Sequence, residues 1–309
     1  MLFLADDTAP LPVPAVSPVV LDRDGALLRA FTVDEGRWRL PVAPADVDPR
    51  FVDLLVAYED QRFFQHAGVD PRAIGRAAWQ ALTAGRVVSG ASTLTMQTVR
   101  LLTDRRERSA PRKLLEMWRA LQWERTLDKT AILTRYLHAA PYGGNIEGVR
   151  AASLAYFSRE PVRLTLAQAA LLVALPQSPE ARRPDRHPEA ARAARDRVLD
   201  RLAARGVLEA GEVAIAKREG VPTRRRPVPR LAPHLSRRLV AAAPDAAAHA
   251  TTLVRDWQGA GAPGRRAGRS RRPEGVGGDP RLPTMPPARS APASRGALPR
   301  PAPRAATST

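Results

Sequence analysis

Four short stretches between residues 59 and 152 combine side chains that could move protons or hold phosphate. The first is Glu59-Asp60 followed by Arg62, Phe63, Phe64, His66 and Gly68, an EDxxFxxHxG pattern. It closes a helical segment, where a carboxylate opposes the negative end of the helix dipole, and two adjacent phenylalanines bury the neighbourhood. Both effects disfavour the ionised form, which suits Glu59 to the part of a general base. An exposed acidic helix end is the plainer account.

The second stretch, Gly90-Ala91-Ser92-Thr93-Leu94-Thr95-Met96-Gln97, runs small hydroxyl residues into a helix. Ser or Thr is an ordinary N-cap, but free N–H groups and two hydroxyls also suit a phosphate, with Gln97 one turn inside the helix. The third, Arg112-Lys113-Leu114-Leu115-Glu116, sets Arg112 and Glu116 four apart on one helical face, the spacing of an intrahelical ion pair. Only Lys113, Lys129 and Lys217 are lysines among 49 basic residues, so a retained Lys points to a need for a compact charge. The fourth runs from Lys129 through His138 to Tyr142-Gly143-Gly144-Asn145-Ile146-Glu147-Gly148. Its Gly-rich turn either allows close backbone packing or cradles an oligosaccharide or diphosphate, with His138 and Asn145 as polar contacts. His66 and His138 do not form a metal-ligand spacing, and no protein-built metal site is indicated.

These residues need a helical frame. Apolar periodicity predicts helices over 51–58, 71–84, 93–102, 111–127, 130–138, 146–156, 166–175 and 188–205, with the pattern sustained to about Lys217. Pro71 and Pro111 sit at first-turn positions and Gly206 at a C-terminal cap. Ahead of the helices, 19–31 reads as two strands around Asp24-Gly25, a hairpin dipeptide, with a third strand over 37–42. The organisation expected is an N-terminal β element and linker (1–45), a main domain (46–220), a linker and the start of a missing following domain with one short helix over 232–243 (221–250), and a disordered Arg-, Pro- and Gly-rich tail (251–309). No internal repeat occurs, which excludes a solenoid.

Net charge is +18, of which about +8 lies in the tail, where 11 Arg face 3 acids. The remaining excess suits anionic headgroups or a pyrophosphate as well as a nucleic acid, and the tail shows neither the aromatics nor the recognition helix a nucleic-acid binder needs. There is no cysteine, hence no disulfide framework or thiolate nucleophile. No run reaches about 18 apolar residues, and the start is too short for a signal peptide.

Taken in order, EDxxFxxHxG, GASTLTMQ, RKxxE and KxxILxxYL…YGGNxxG resemble glycosyltransferase family 51, the polymerase domain of bifunctional penicillin-binding proteins, over residues 42–208. Arg182-Arg183-Pro184-Asp185-Arg186, Leu175-Pro176-Gln177-Ser178-Pro179 and the Met96-Gln97 variant look most like the penicillin-binding protein 1C branch. The resemblance implies a mainly α, lysozyme-like fold at the periplasmic, outer face of the cytoplasmic membrane. Its substrates are lipid II and nascent glycan strands, its surroundings the membrane surface and cell-wall synthesis proteins, and nucleic acid is not a partner. It implies Glu59 as base and Glu116 as the second catalytic glutamate, acting at the leaving group. Arg112, Lys113 and Lys129 would neutralise a diphosphate, Ser92, Thr93 and Gln97 would orient it, Asn145 would add a polar contact, and Mg²⁺ would arrive with the substrate. His138 departs from the family's usual Asn. The family's N-terminal anchor is missing, and no Ser-x-x-Lys or Lys-Thr-Gly of a transpeptidase follows. A non-catalytic fragment acting as a cell-wall scaffold is therefore a second expectation, and the texture change near Thr252 would suit a frameshift.

Overall fold

A computed structural model describes residues 11–84, 92–103 and 109–255. The Gly90-Ala91 part of the second motif and most of the tail, 256–309, lie outside the described residues.

The chain opens with a hairpin, β1 (Val19–Leu21) and β2 (Leu27–Ala30), paired antiparallel. Gly25 makes the turn at φ +81°, and the Asp22 carboxylate accepts the Asp24 and Ala26 N–H groups, so the expected turn chemistry closes it. The expected third strand shrinks to β3 (Trp38–Arg39). Helix α1 (Pro49–Glu59) starts two residues earlier than its apolar pattern. Asp48 caps it by accepting the Arg50 N–H, and its other oxygen takes the Leu164 N–H from the far side of the domain.

Next come α2 (Pro71–Ala84), α3 (Leu94–Leu102), α4 (Ala110–Thr126) and α5 (Lys129–Ala139). Thr93 caps α3 and Asp128 caps α5. The helix expected from Ile146 begins later: Ile146–Glu147 is β4, pairing parallel with β3, and α6 is Val149–Phe157. Gly148 forces the delay. Its φ of +81° is not helical, and a Cβ there would meet the His138 carbonyl at 2.9 Å.

Helix α7 (Leu166–Ala174) is buried at every position but Gln168, which completes a capping box with Thr165. A helix apolar all round belongs in the interior, and α7 packs between α1 and α8 (Pro188–Ala203), with α9 (Ala210–Arg218) beyond. The main core gathers Phe51, Leu54, Ile132, Leu137, Leu171 and Leu199 around it. A smaller cluster of Val69, Met96, Val99, Ala120 and Trp123 joins α3 to α4. The fold is mainly α with a small β element. Among the described residues no helix is long and apolar enough to cross a membrane.

Residues 221–250, read from their Arg and Pro as a linker, are fastened to the domain. The Arg226 N–H bonds Ala155 O and the Leu231 N–H bonds Leu28 O. Helix α10 (Pro233–Ala242) follows, and β5 (Ala248–Ala250) pairs parallel with β1. Residues 251–255, placed by sequence in the tail, continue this docking, with the Thr251 N–H on Leu21 O and the Arg23 N–H on Leu253 O. Backbone pairing with β1 supplies what side-chain composition does not reveal.

Candidate active site

A cleft of about 650 Å3 lies where the C-terminal end of α1 meets α3, the start of α4 and the turn after α7. Glu59, Ser92, Gln97, Arg112, Lys113 and Glu116 line it, together with Arg100, Ser109, Tyr136, Pro176, Gln177 and Arg182. Its four basic side chains, Arg100, Arg112, Lys113 and Arg182, outnumber the carboxylates of Glu59 and Glu116, so the cleft favours an anion.

Glu59 is the last residue of α1 and is half-buried. Its two oxygens accept one amide N–H each, Oε2 from Gln97 at 3.0 Å and Oε1 from Gln177 at 2.7 Å. Each oxygen keeps a lone pair for an incoming proton. The Tyr136 phenol is fully buried in the cleft wall, and burial and the Glu59 charge hold it neutral, well above the usual phenol range. Glu116 is buried in α4 with Arg100 Nη1 at 3.9 Å. The exposed Lys113 has no carboxylate partner among the described residues.

A second recess of about 390 Å3 opens on the other side of Glu59 and shares Ser92 with the first. Arg76, Arg201 and Arg205 line it with Asp60, Arg62, Asp70 and Thr93. Burial lowers the proton affinity of the Arg205 guanidinium, and the neighbouring Arg201 and Arg76 charges add to that. Arginines crowded this way attract an anion.

Asp60, buried beside Glu59, holds this junction. Its carboxylate contacts His66 Nε2 at 3.0 Å and accepts the Leu94 N–H at 2.9 Å, pinning the start of α3 to the end of α1. Thr93 is a buried cap: its hydroxyl donates to Gly68 O at 2.6 Å and accepts the Met96 N–H.

Two of the residues expected to bind substrate line neither recess. Lys129 Nζ donates to His66 O at 2.6 Å and to Glu124, which also accepts the Thr95 hydroxyl, and it sits 4.6 Å over the Phe63 ring. These contacts lock the loop after Glu59 onto α4 and α5. Asn145 donates to Gly36 O at 2.9 Å and accepts the Trp38 N–H through its carbonyl, which fixes β3. The Gly-rich turn is filled from below by arginine. A Cβ on Gly143 would meet Arg183 Cγ at 2.3 Å, and Arg225 donates to Gly143 O. Its glycines allow this close packing.

His138 likewise points into the fold, its Nε2 accepting the Val42 N–H at 3.0 Å. Burial, then the Arg39 charge, lowers its pKa to about 4. The unfolded chain therefore binds a proton in a window where the folded one does not. This stability is present in full above about pH 6.5 and is lost as pH falls towards about 4, a term on the order of 3 kcal/mol at most. His138→Asn keeps an acceptor for Val42 and removes the titration. Urea unfolding at pH 7 and pH 4.5 should show the variant losing less stability on acidification than the parent, and equal losses would refute the assignment.

Arg100, Tyr136, Gln177 and Arg182 were not among the residues expected from sequence. Arg100 had a signal, being one turn beyond Gln97 on the same helix face. Gln177 and Arg182 stood in stretches that marked a branch rather than a chemistry.

The site is thus a carboxylate set between two arginine-lined recesses of a mainly helical domain. A family model described as "Transglycosylase" matches residues 24–203, and the chain belongs to that family, a family of glycosyltransferases. Among its relatives, penicillin-binding protein 1C of Escherichia coli K12 is 46% identical over 246 residues, 78% of this chain and 32% of that protein. Penicillin-binding protein 1A of Aquifex aeolicus is 37% identical over 195 residues, 63% of this chain and 26% of that protein. The chain thus spans about a third or less of these relatives' length. A solved structure of penicillin-binding protein 1A from Haemophilus influenzae superposes with a TM-score of 0.37 at 17% identity, covering 75% of this chain and 25% of that one, too loosely to bear on the fold.

Proposed function

We propose that this chain polymerises lipid II into peptidoglycan glycan strands and releases undecaprenyl pyrophosphate, working at the outer face of the cytoplasmic membrane. The observation that carries the reading is the position of Glu59 between two recesses, each supplied with arginine. Polymerisation needs that arrangement, because both the growing strand and the incoming disaccharide carry a diphosphate.

In this reading Glu59 takes the proton from the acceptor sugar's 4-hydroxyl, whose oxygen attacks the anomeric carbon of the donor strand with inversion. The bond from that carbon to the diphosphate oxygen breaks. Arg100, Arg112 and Lys113 face the negative charge that grows there, and Ser92 adds a hydroxyl. Glu116 lies 3.9 Å from Arg100 Nη1 and would help hold the guanidinium by charge. A Mg²⁺ ion carried in by the substrate diphosphate would find Glu116 as its protein ligand.

A lipid-linked substrate also calls for a surface that meets the bilayer. Helix α4 exposes Leu114, Trp118 and Leu121 along one face, and α2 exposes Trp79 and Leu82. Since α4 begins with the cleft residues Arg112 and Lys113, this apolar face would hold the cleft mouth at headgroup level.

The test is incubation of purified protein with labelled lipid II in detergent and Mg²⁺, with products resolved by glycan length. Polymer is the expected result. Binding of lipid II without any polymer would overturn the reading in favour of a non-catalytic scaffold.

A further inference from the structure

We infer that Gln177, oriented by Arg182, is a positioning residue that aims the Glu59 carboxylate at the acceptor hydroxyl; the inference rests on the function proposed above. Gln177 ends the single 3-10 turn Leu175–Gln177 that follows α7. The backbone there is fixed, since α7 is interior and Leu175 is fully buried. A short amide side chain on a rigid turn makes a better rest for a catalytic group than a long flexible one.

The direction of the amide is decided by chemistry. Arg182 Nη1 donates to Gln177 Oε1 at 2.9 Å and to Ala174 O at 2.7 Å. A guanidinium has no acceptor, so the Gln177 oxygen must face it and the NH2 group must face Glu59. With Gln97 donating to the other oxygen from α3, the carboxylate plane is held at both ends by two separate elements. Each oxygen keeps a lone pair, and a carboxylate fixed in this way needs little reorganisation when the hydroxyl arrives. Arg182 lines the cationic cleft, yet its Nη1 is committed to this chain of contacts, which separates its part from that of Arg100, Arg112 and Lys113.

The experiment is a double-mutant cycle on lipid II polymerisation using Gln177→Met, Arg182→Met and the two combined, with thermal midpoints measured alongside. Each single variant should lower kcat by about tenfold or more, as expected for loss of one hydrogen bond to a charged group, with KM for lipid II unchanged. The double variant should be no slower than the singles, because both break one chain. Arg182→Lys, which can still donate to the amide oxygen, should recover most of the rate. Raised KM in Arg182→Met with additive losses would make Arg182 a direct substrate contact and overturn the inference. So would an unaltered kcat in Gln177→Met, or a kcat loss matched by a collapsed thermal midpoint and not recovered by Arg182→Lys. A parent protein that makes no polymer defeats the functional reading itself, a result separate from any of these.

Discussion

Glu59→Gln is expected to slow glycan polymerisation by about 10²- to 10⁴-fold, the contribution of a positioned general base. The substitution keeps side-chain volume and removes the basic oxygen pair. Binding of lipid II should be nearly unchanged, because the cations of the cleft are untouched. Stability should fall only slightly. The carboxylate accepts from both Gln97 and Gln177, and an amide can offer its oxygen to only one of them, so one hydrogen bond is lost at a cost of about 1 kcal/mol. Initial rates on labelled lipid II, with thermal midpoints as a control, check this. A variant within tenfold of the parent would remove Glu59 from the role of base.

Gly68→Ala should have the largest effect on stability. Gly68 ends the EDxxFxxHxG stretch at φ +86°, a region that strains any L side chain. A Cβ there would lie 2.4 Å from Ala120 O and 2.6 Å from Ala120 C, backbone atoms inside α4 that cannot swing aside. Its carbonyl accepts the Thr93 hydroxyl, so a shift of Gly68 is felt at the start of α3 as well. The expected loss is about 3 kcal/mol or more. Gly25 supplies the comparison: its φ is +81°, but nothing lies within 4 Å of an added Cβ, so Gly25→Ala should cost only about 1 kcal/mol. Urea titration of the two variants separates backbone strain from collision, and equal losses would show that contact with α4 is not what Gly68 protects. Activity should fall with stability in Gly68→Ala, since α4 carries Arg112, Lys113 and Glu116 into the cleft.

The frame that holds this site was readable from local chemistry. Thr93 as a cap and Pro71 and Pro111 in first turns announce helices within a few residues of where they begin. Where a tertiary neighbour overrode the local pattern, the reading drifted. Ile146 belongs to an apolar run that continues into α6, but pairing with Trp38 makes it a strand. At the site, Glu59, Gln97, Arg112, Lys113 and Glu116 were singled out by residue type and spacing, and they share one cleft. Lys129 was marked as an unusual lysine, and its ammonium meets Glu124 and the His66 carbonyl, partners that no local pattern names. Gln177 gave no signal, since its partner Glu59 is 118 residues away and an amide after a proline has many ordinary uses.

The parallel pairing of β1 with β5 also sets an order of events in time. Val19 to Leu21 emerge early in synthesis, and their partners Ala248 to Ala250 come more than two hundred residues later. Closing so long a loop costs entropy that only an already folded helical body can offset, so this seam should form last. Pulse-labelled hydrogen exchange during refolding would then find the Val19 and Thr251 amides, bonded to Ala247 O and Leu21 O, protected after those of α1 and α7. Until that step one edge of β1 stands open, and the nascent domain holds its catalytic helices together while its own first strand still waits for a neighbour.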